Sequence, residues 1–436
     1  MKAIMITAPA SGSGKTTAAI GIIRALLNRG MDVCGFKTGP DYIDTSFIAK
    51  ASKRQAGNLD TYLQGREGVF RSLGMGDGDY CIIESAMGYF DGLYNTFEDS
   101  GYDISKLLNV NSILVYTPSG EMFSAIPKIE GMADFEGSTI KGVILNKVSE
   151  KIYNMLKGQI EKYTGLPVLG YIPMMEDAAI ESRHLGLVQC AEIGDVEERI
   201  ERAAAAVREN IDMGLLLRLM SDVCGTSAGR LEKRNLAVAV AYDKAFSFYY
   251  RENLKLLEDS CAVEYFSPLA DASLPACDLL YIGGGYPEVF KEELSDNRAM
   301  LSSIRSYADR GGCIYGECGG FMYLTEGIEG RDMAGIFAGR ARMTERLQRF
   351  GYVEIELRRG CMLGKRGDRI TAHEFHKSVC DVEGPALFSV RKAMGNGMWE
   401  CGYGYKNVLA GYPHINFLGN MNAFTSMLDY AEAHRR

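Results

Sequence analysis

Ala8-Pro9-Ala10-Ser11-Gly12-Ser13-Gly14-Lys15-Thr16-Thr17 decides how the first half of this chain is read. Upstream, Lys2–Thr7 is a short apolar run that reads as a buried strand. Downstream, Thr16–Arg29 has helical periodicity and stops at Gly30, a C-terminal signal. A loop between a strand and a helix points backbone N–H groups at phosphate oxygens, and the helix dipole adds to the attraction. Gly12, Ser13 and Gly14 form the cradle, Lys15 reaches the β- and γ-phosphates, and the Thr16 hydroxyl, followed by Thr17, can hold Mg²⁺. Pro9 stands where the pattern G-x-x-x-x-G-K-[ST] begins with glycine. Strand, loop and helix are nonetheless in register, which favours a phosphate site over a plain glycine-rich turn.

Working outward, short apolar runs recur at Val33–Phe36, Tyr80–Ile83, Ser112–Tyr116, Gly142–Leu145 and Val168–Ile172. Nearly continuous runs of this length fit strands covered on both faces, and helical stretches lie between several of them. This is the grammar of a parallel sheet with helices on both sides. After the charged stretch Arg230–Asn235 the grammar restarts, with Leu236–Ala241, Val263–Phe266, Leu279–Ile282 and Cys313–Tyr315. The fold class expected is α/β with two doubly wound domains, residues 1–228 and 229–436. The helical stretch Val196–Asn210 could pack on either.

The 436 residues suffice for two such cores, and 47% hydrophobic with 24% charged residues is an ordinary globular balance. A formal net charge of −8 argues against bulk nucleic-acid binding. The apolar runs are too short to span a bilayer. No N-terminal signal is visible ahead of the first strand, and the 11 cysteines are scattered without a repeating spacing, so a chain without a leader and reduced thiols in the cytoplasm are expected.

Several other residues carry chemistry. Tyr80–Glu84 is a strand ending in a carboxylate, and ligands of such sheets bind at the carboxyl ends of strands. Glu84 is therefore placed for a metal on the nucleotide. Lys37-Thr38-Gly39-Pro40-Asp41-Tyr42-Ile43-Asp44 follows the second strand, and its Asp41 and Asp44 could coordinate Mg²⁺ or orient an acyl substrate. In the second half, Cys313-Ile314-Tyr315-Gly316-Glu317-Cys318-Gly319-Gly320-Phe321 has the form of a nucleophile elbow with cysteine at its apex. The following helix N-terminus is expected to lower the Cys318 thiol pKa, and the Gly319 N–H can donate to an oxyanion. Gly283-Gly284-Gly285 at a strand end could supply a second donor. The base for Cys318 is His373, His376 or His414, and spacing alone does not choose. A zinc reading of His373 and His376 is weak, because the spacing is not H-E-x-x-H.

Together these residues resemble the cobyrinate a,c-diamide synthase family over nearly the whole chain. The phosphate loop looks like that of dethiobiotin synthetase-like ATPases. Lys37–Asp44 is similar to the family's K-x-G-P-D-Y-I-D, and residues Glu84 to Gly92 to its E-G-x-M-G-x-[YF]-D-G, with Ser85 in place of glycine. Ser182-Arg183-His184-Leu185-Gly186-Leu187, Gly283–Glu288, Glu317–Leu324 and Ala372–Ser378 match further stretches. The resemblance implies a C-terminal class I glutamine amidotransferase-like domain, chooses His414 as the base, and assigns glutamine and oxyanion binding to Gly284, Gly285 and Gly319. The metal ligands expected from the residues themselves are Thr16, Asp41 and Glu84. The resemblance places Lys37, Tyr42, Asp44, Asp91, Arg183 and His184 at the substrate, with Lys37, Arg183 and His184 facing the cleft as positive charge. Most triad amidotransferases carry a glutamate two residues after the histidine; here that position is Asn416, one candidate for orienting His414.

The activity implied is ATP- and glutamine-dependent amidation of two carboxylates of cobyrinate in cobalamin biosynthesis. An acyl phosphate forms in the first domain, and ammonia from the second reaches it along an enclosed path. Hydrogenobyrinate, nickel-sirohydrochlorin or a cell-wall precursor would fit the same motifs. A regulatory P-loop ATPase with a degenerate amidotransferase domain is the competing class. Expected ligands are ATP with Mg²⁺, L-glutamine and a cobyrinate-like tetrapyrrole; a second copy of the chain is a candidate partner, and nucleic acid and membrane are not.

Overall fold

The computed structural model describes residues 1–175, 194–226, 229 and 231–435. The chain divides into two compact units, Met1–Thr61 with Gly65–Ala228, and Tyr62–Gln64 with Gly229–Arg436.

The first unit is built on a sheet whose parallel strands are β1 (Lys2–Thr7), β2 (Val33–Thr38), β3 (Gly57–Leu59), β4 (Tyr80–Glu84), β5 (Ser112–Tyr116), β6 (Ile140–Asn146) and β7 (Val168–Ile172). Their order is β3-β2-β4-β1-β5-β6-β7, and Ser221–Asp222 adds an antiparallel pairing on β1. β1 therefore sits at the centre, between the two directions of winding. The loop at its carboxyl end opens into the crevice where such sheets bind ligands. The continuous apolar runs are explained by cover on both faces. Ala3, Met5, Phe36, Cys81 and Ile83 join one core, whereas a Cβ on Gly35 would meet Ile48 at 2.3 Å and Ile23 at 3.2 Å.

Helix α1 (Lys15–Leu27) begins one residue earlier than its periodicity suggests, and Gly30 just beyond it takes φ +77°, the left-handed conformation glycine is there to provide. The helix α2 spans Ile43–Ser52. The helix α3 (Val196–Asn210), whose partner the sequence left open, packs on α1. A Cβ on Gly21 would lie 2.9 Å from the Ala203 carbonyl oxygen, and the buried Arg24 guanidinium reaches Glu197 and Glu201 at 2.6 Å each.

The second unit holds β8 (Ala237–Ala241), β9 (Ala262–Phe266), β10 (Leu279–Ile282), β11 (Cys313–Glu317) and the short helix α4 (Gly319–Leu324). After them come β12 (Arg349–Leu357), β13 (Arg369–His376), β14 (Phe388–Lys392), β15 (Met398–Cys401), β16 (Tyr403–Tyr405), β17 (Val408–Gly411) and β18 (His414–Ile415). A six-stranded sheet runs β9-β8-β10-β11-β17-β16, parallel except for the last pair. The C-terminal part also forms a five-stranded antiparallel sheet, β15-β14-β12-β13-β18, whose strands are not among those expected from continuous apolar runs. From Val353 to Leu357 its strand β12 alternates buried residues with more exposed ones, the period of a half-covered strand. Among the described residues, no helix is long and apolar enough to cross a membrane.

Candidate active sites

In the first unit the loop from Ala8 to Gly14 owes its shape to two glycines and an asparagine. Gly12 takes φ +76° and Gly14 takes φ +87°; a Cβ at Gly14 would sit 2.2 Å from Asn146 Nδ2. Asn146, at the carboxyl end of β6, donates to the Ser13 carbonyl at 2.9 Å, and the Thr117 hydroxyl donates to the same oxygen at 3.1 Å. Two neighbouring strand ends thus hold the loop open. Sequence reading missed Asn146; the clue was a polar residue closing an otherwise apolar strand.

Lys15 is buried and donates to the carbonyls of Ala10 at 3.1 Å and Met87 at 2.5 Å. Burial, and then the charge of Lys37, lower its pKa to about 8, against the opposing pull of Glu84, Asp44 and Asp91. The Thr16 hydroxyl donates to Glu84 Oε1 at 2.6 Å. Glu84 Oε2 is buried without a hydrogen-bond partner. Burial holds the Glu84 carboxyl above the usual range, although Lys37 and Thr16 pull it down. A hydroxyl beside an unpartnered carboxylate oxygen is a hard-oxygen donor pair that fits Mg²⁺. No cluster of three or more His, Cys, Asp or Glu side chains able to hold a metal occurs among the described residues. An ion here would draw its remaining oxygens from nucleotide and water.

Two expectations for residues 37–44 need correction. Lys37 is not a free cation facing the cleft. It is 3% exposed and its ammonium donates to Asp44 Oδ2 at 2.6 Å and Glu84 Oε1 at 2.7 Å. Burial would lower its pKa, but those carboxylates outweigh burial and raise it. A charge buried on a strand needs partners, and the two nearest carboxylates supply them. Asp41 is committed to α2: its Oδ1 accepts from the N–H groups of Ile43 at 2.8 Å and Asp44 at 3.0 Å. Burial, and then Asp44, push its carboxyl up to about 7, against the pull of Lys37 and of those two N–H groups. Tyr42, half-buried, immediately precedes α2. Asp91 is exposed and its Oδ2 accepts from the Gly88 N–H at 3.0 Å, closing the turn that carries Met87 beside Lys15. Arg183 and His184 lie outside the described residues.

In the second unit Cys318 follows β11 at φ +47°, ψ −100°, a strained conformation for a residue with a side chain. The elbow is possible because its neighbours are glycines. A Cβ on Gly320 would come 2.2 Å from the Ile282 carbonyl oxygen, and one on Gly319 would come 2.9 Å from Gly285 N. The Cys318 N–H donates to the Gly411 carbonyl at 2.8 Å, tying the elbow to the end of β17. Three residues further on, His414 enters the antiparallel sheet opposite His373. A Cβ on Gly284 would meet His414 Cε1 at 2.4 Å and Nε2 at 3.3 Å. Gly284 and Gly285 are held by antiparallel pairing with Phe246–Phe248. The structure thus gathers Cys318, Gly319, Gly284, Gly285 and His414 at one end of the six-stranded sheet.

The thiol expectation is also corrected. Burial raises the Cys318 pKa well above its ordinary value, with the charges of Glu288 and Glu374 adding to the rise and the Gly319 N–H opposing it. A single donor at the start of a six-residue helix does not offset loss of water, so the resting group is the thiol. His414 Nδ1 lies 3.5 Å from Glu317 Oε2. Asn416 instead turns its Oδ1 to the Leu418 N–H at 3.1 Å. His376 stacks on Tyr412 with centroids 3.7 Å apart, and its Nδ1 lies 2.8 Å from the Ser378 carbonyl.

Comparison with known proteins agrees with this geometry. Residues 4–188 match the CobQ/CobB/MinD/ParA nucleotide binding domain, and residues 237–422 match the CobB/CobQ-like glutamine amidotransferase domain. The chain is 44% identical to the cobyrinate a,c-diamide synthase of Clostridium tetani, covering 98% of this chain and 100% of that protein. Identity to the Clostridium acetobutylicum protein of the same name is 44%, covering 97% and 98% respectively. For that of Limosilactobacillus reuteri it is 38%, covering 98% of both.

Proposed function

The chain belongs to the cobyrinate a,c-diamide synthase family, and on that premise we propose that it converts the a- and c-side-chain carboxylates of cobyrinate into carboxamides, using ATP and glutamine, in cobalamin biosynthesis. It is a glutamine-dependent ligase with a nucleotide-binding half. The observation that carries the reading is the strained elbow at Cys318 on a chain that also holds a phosphate loop between a strand and a helix.

In the glutaminase half, the Cys318 sulfur attacks the carboxamide carbon of glutamine while His414 takes the thiol proton and passes it to the departing ammonia. A glutamyl thioester is left, which water hydrolyses to glutamate. Because the resting thiol is protonated, this proton transfer is required before attack. Gly319 and the Gly284–Gly285 turn would receive the oxyanion.

In the nucleotide half, a substrate carboxylate oxygen attacks the γ-phosphorus of ATP, expelling ADP and forming an acyl phosphate. Ammonia then attacks the acyl carbon and phosphate leaves, giving the amide. Lys15, still mostly charged at neutral pH, stabilises the transferring phosphoryl group. Thr16 Oγ1 and Glu84 would hold Mg²⁺, which neutralises phosphate charge when bound. Lys37 fixes Glu84 and Asp44 in place. Contact with the acceptor's carboxylates falls to Arg183 and His184, with Tyr42, Asp44 and Asp91 bordering the acceptor.

The test is an amidation assay with purified protein, ATP and glutamine, offering cobyrinate, hydrogenobyrinate and nickel-sirohydrochlorin separately and following product by mass. Two successive amidations of cobyrinate are expected. Amidation of another acceptor in preference to it would reassign the substrate and leave the chemistry intact.

A further inference from the structure

Glu317 is the last residue of β11 and stands immediately before the nucleophile, 2% exposed. A carboxylate in such a place is costly unless its oxygens are satisfied. They are. Oε1 accepts from the Tyr315 hydroxyl at 2.9 Å and from the Ile415 N–H at 3.3 Å, and Oε2 accepts from the Tyr281 hydroxyl at 3.2 Å. Residues i and i+2 of a strand share a face, so Tyr315 and Glu317 point the same way, and Tyr281 is the register neighbour of Tyr315 on β10. The two phenol rings stack at 5.4 Å. Burial and the nearby Glu317 charge raise both phenol pKa values, which keeps them protonated and donating.

The same carboxylate faces the histidine. Its Oε2 is 3.5 Å from His414 Nδ1, while its Oε1 holds the peptide N–H of the next residue. One side chain thus lies within ion-pair distance of the ring and accepts the peptide N–H that follows the base. The opposite edge of the ring, Cε1 and Nε2, faces the Gly284 turn beside the elbow. The other groups around His414 do not do this work. His373, across the strand pair, is held neutral by burial, with a pKa lowered to about 3. Asn416 turns its amide oxygen, the group that could accept an imidazole proton, to the Leu418 N–H. We infer that Glu317 is the positioning residue that orients His414, keeping its proton on Nδ1 and its Nε2 lone pair toward Cys318. The acidic member of the catalytic group is then supplied by the residue before the nucleophile, where related enzymes supply it two residues after the histidine. This rests on Cys318 and His414 being the glutaminase pair.

The experiment compares Glu317→Gln with the parent protein in glutamine hydrolysis over a range of pH. Glutamine at this position keeps the volume and an acceptor for the phenols and removes the charge. The expected result is a fall in kcat of roughly 10²–10⁴-fold with KM for glutamine little changed, as when the acidic member of a triad is made neutral. The acid limb of kcat/KM should move to lower pH, because the imidazolium loses its counter-charge. Glu317→Asp should recover part of kcat and the parent's limb. A kcat within about threefold of the parent, or a fall with an unmoved limb, overturns the inference. If Glu317→Gln does not fold, Glu317→Asp against Glu317→Ala decides, and equal activity of the two overturns it. Cys318→Ala and His414→Ala are run beside them. Retained hydrolysis there would defeat the underlying pair, whereas its loss there with retention in Glu317→Gln would defeat the positioning role alone.

Discussion

The Thr16 hydroxyl donates to Glu84 Oε1 at 2.6 Å, joining the phosphate loop to the end of a strand 68 residues away. That bond aims Glu84 at the place where a nucleotide's metal would sit, and Lys37 holds the same oxygen from the other side. The second oxygen, Oε2, is left without a partner in a buried position, a cost of about 1–3 kcal/mol for the free protein. A Mg²⁺ ion would relieve it. Glu84→Gln should therefore lower ATP-dependent amidation by about 10²–10³ with either glutamine or ammonia, as loss of one transition-state charge contact does. It should also raise the magnesium concentration needed for half-maximal rate. Amidation within a few-fold of the parent at unchanged magnesium dependence would remove Glu84 from the metal site.

Lys15 offers a pH signature. Its pKa of about 8 means that the free protein loses this charge as pH rises through that value, well before an exposed lysine would. ATP affinity should fall from about pH 7 to pH 9 in the parent, and the fall should be absent in Lys15→Ala, which starts weaker. Titration with a fluorescent ATP analogue measures this. Parallel curves for the two proteins would show that Lys15 does not meet the phosphates.

Cys318→Ala separates the two half-reactions. The nucleophile lies in the second compact unit and the phosphate loop in the first, so the variant should lose glutamine-driven amidation and keep ammonia-driven amidation near the parent rate. Alkylation should report the raised thiol pKa as slow labelling of Cys318 at neutral pH relative to the exposed Cys224. Glutamine hydrolysis by Cys318→Ala at the parent rate would reassign the nucleophile.

Much of this architecture is legible because it is written locally. A phosphate loop and a cysteine elbow each need small residues at fixed offsets between a strand and a helix, and each stands within its own short stretch of chain. Partners that arrive from afar are not written that way. Asn146 showed only as a polar residue closing an apolar strand, with nothing to say that it would meet Gly14, and Glu317 carried no assigned role in the elbow until β17 and β18 brought His414 beside it. Lys37 looked like a spare cation because sequence shows the charge and hides its burial between Asp44 and Glu84. The antiparallel sheet was missed because its half-exposed strands lack the continuous apolar runs that marked the parallel ones.

His373 gives a prediction about stability. Its ring is 6% exposed, Nδ1 has no hydrogen-bond partner, and burial, with His414 opposite, lowers the pKa from 6.5 to about 3. Between those two values the unfolded chain binds the proton and the folded chain does not. Stability therefore rises with pH across that window and is lost as pH falls below 6.5, at up to about 1.4 kcal/mol per unit. Above 6.5 the group is neutral in both states and adds no pH dependence. Asp41, whose carboxyl is pushed up to about 7, works in the opposite direction, but it is present in parent and variant alike and cancels in their difference. His373→Gln keeps a polar side chain there and removes the titration. Between pH 7 and pH 5 the parent should lose about 2 kcal/mol more than this variant, measured from urea denaturation. Equal losses would mean that His373 takes up its proton in the folded protein, and that the wall behind His414 is wet.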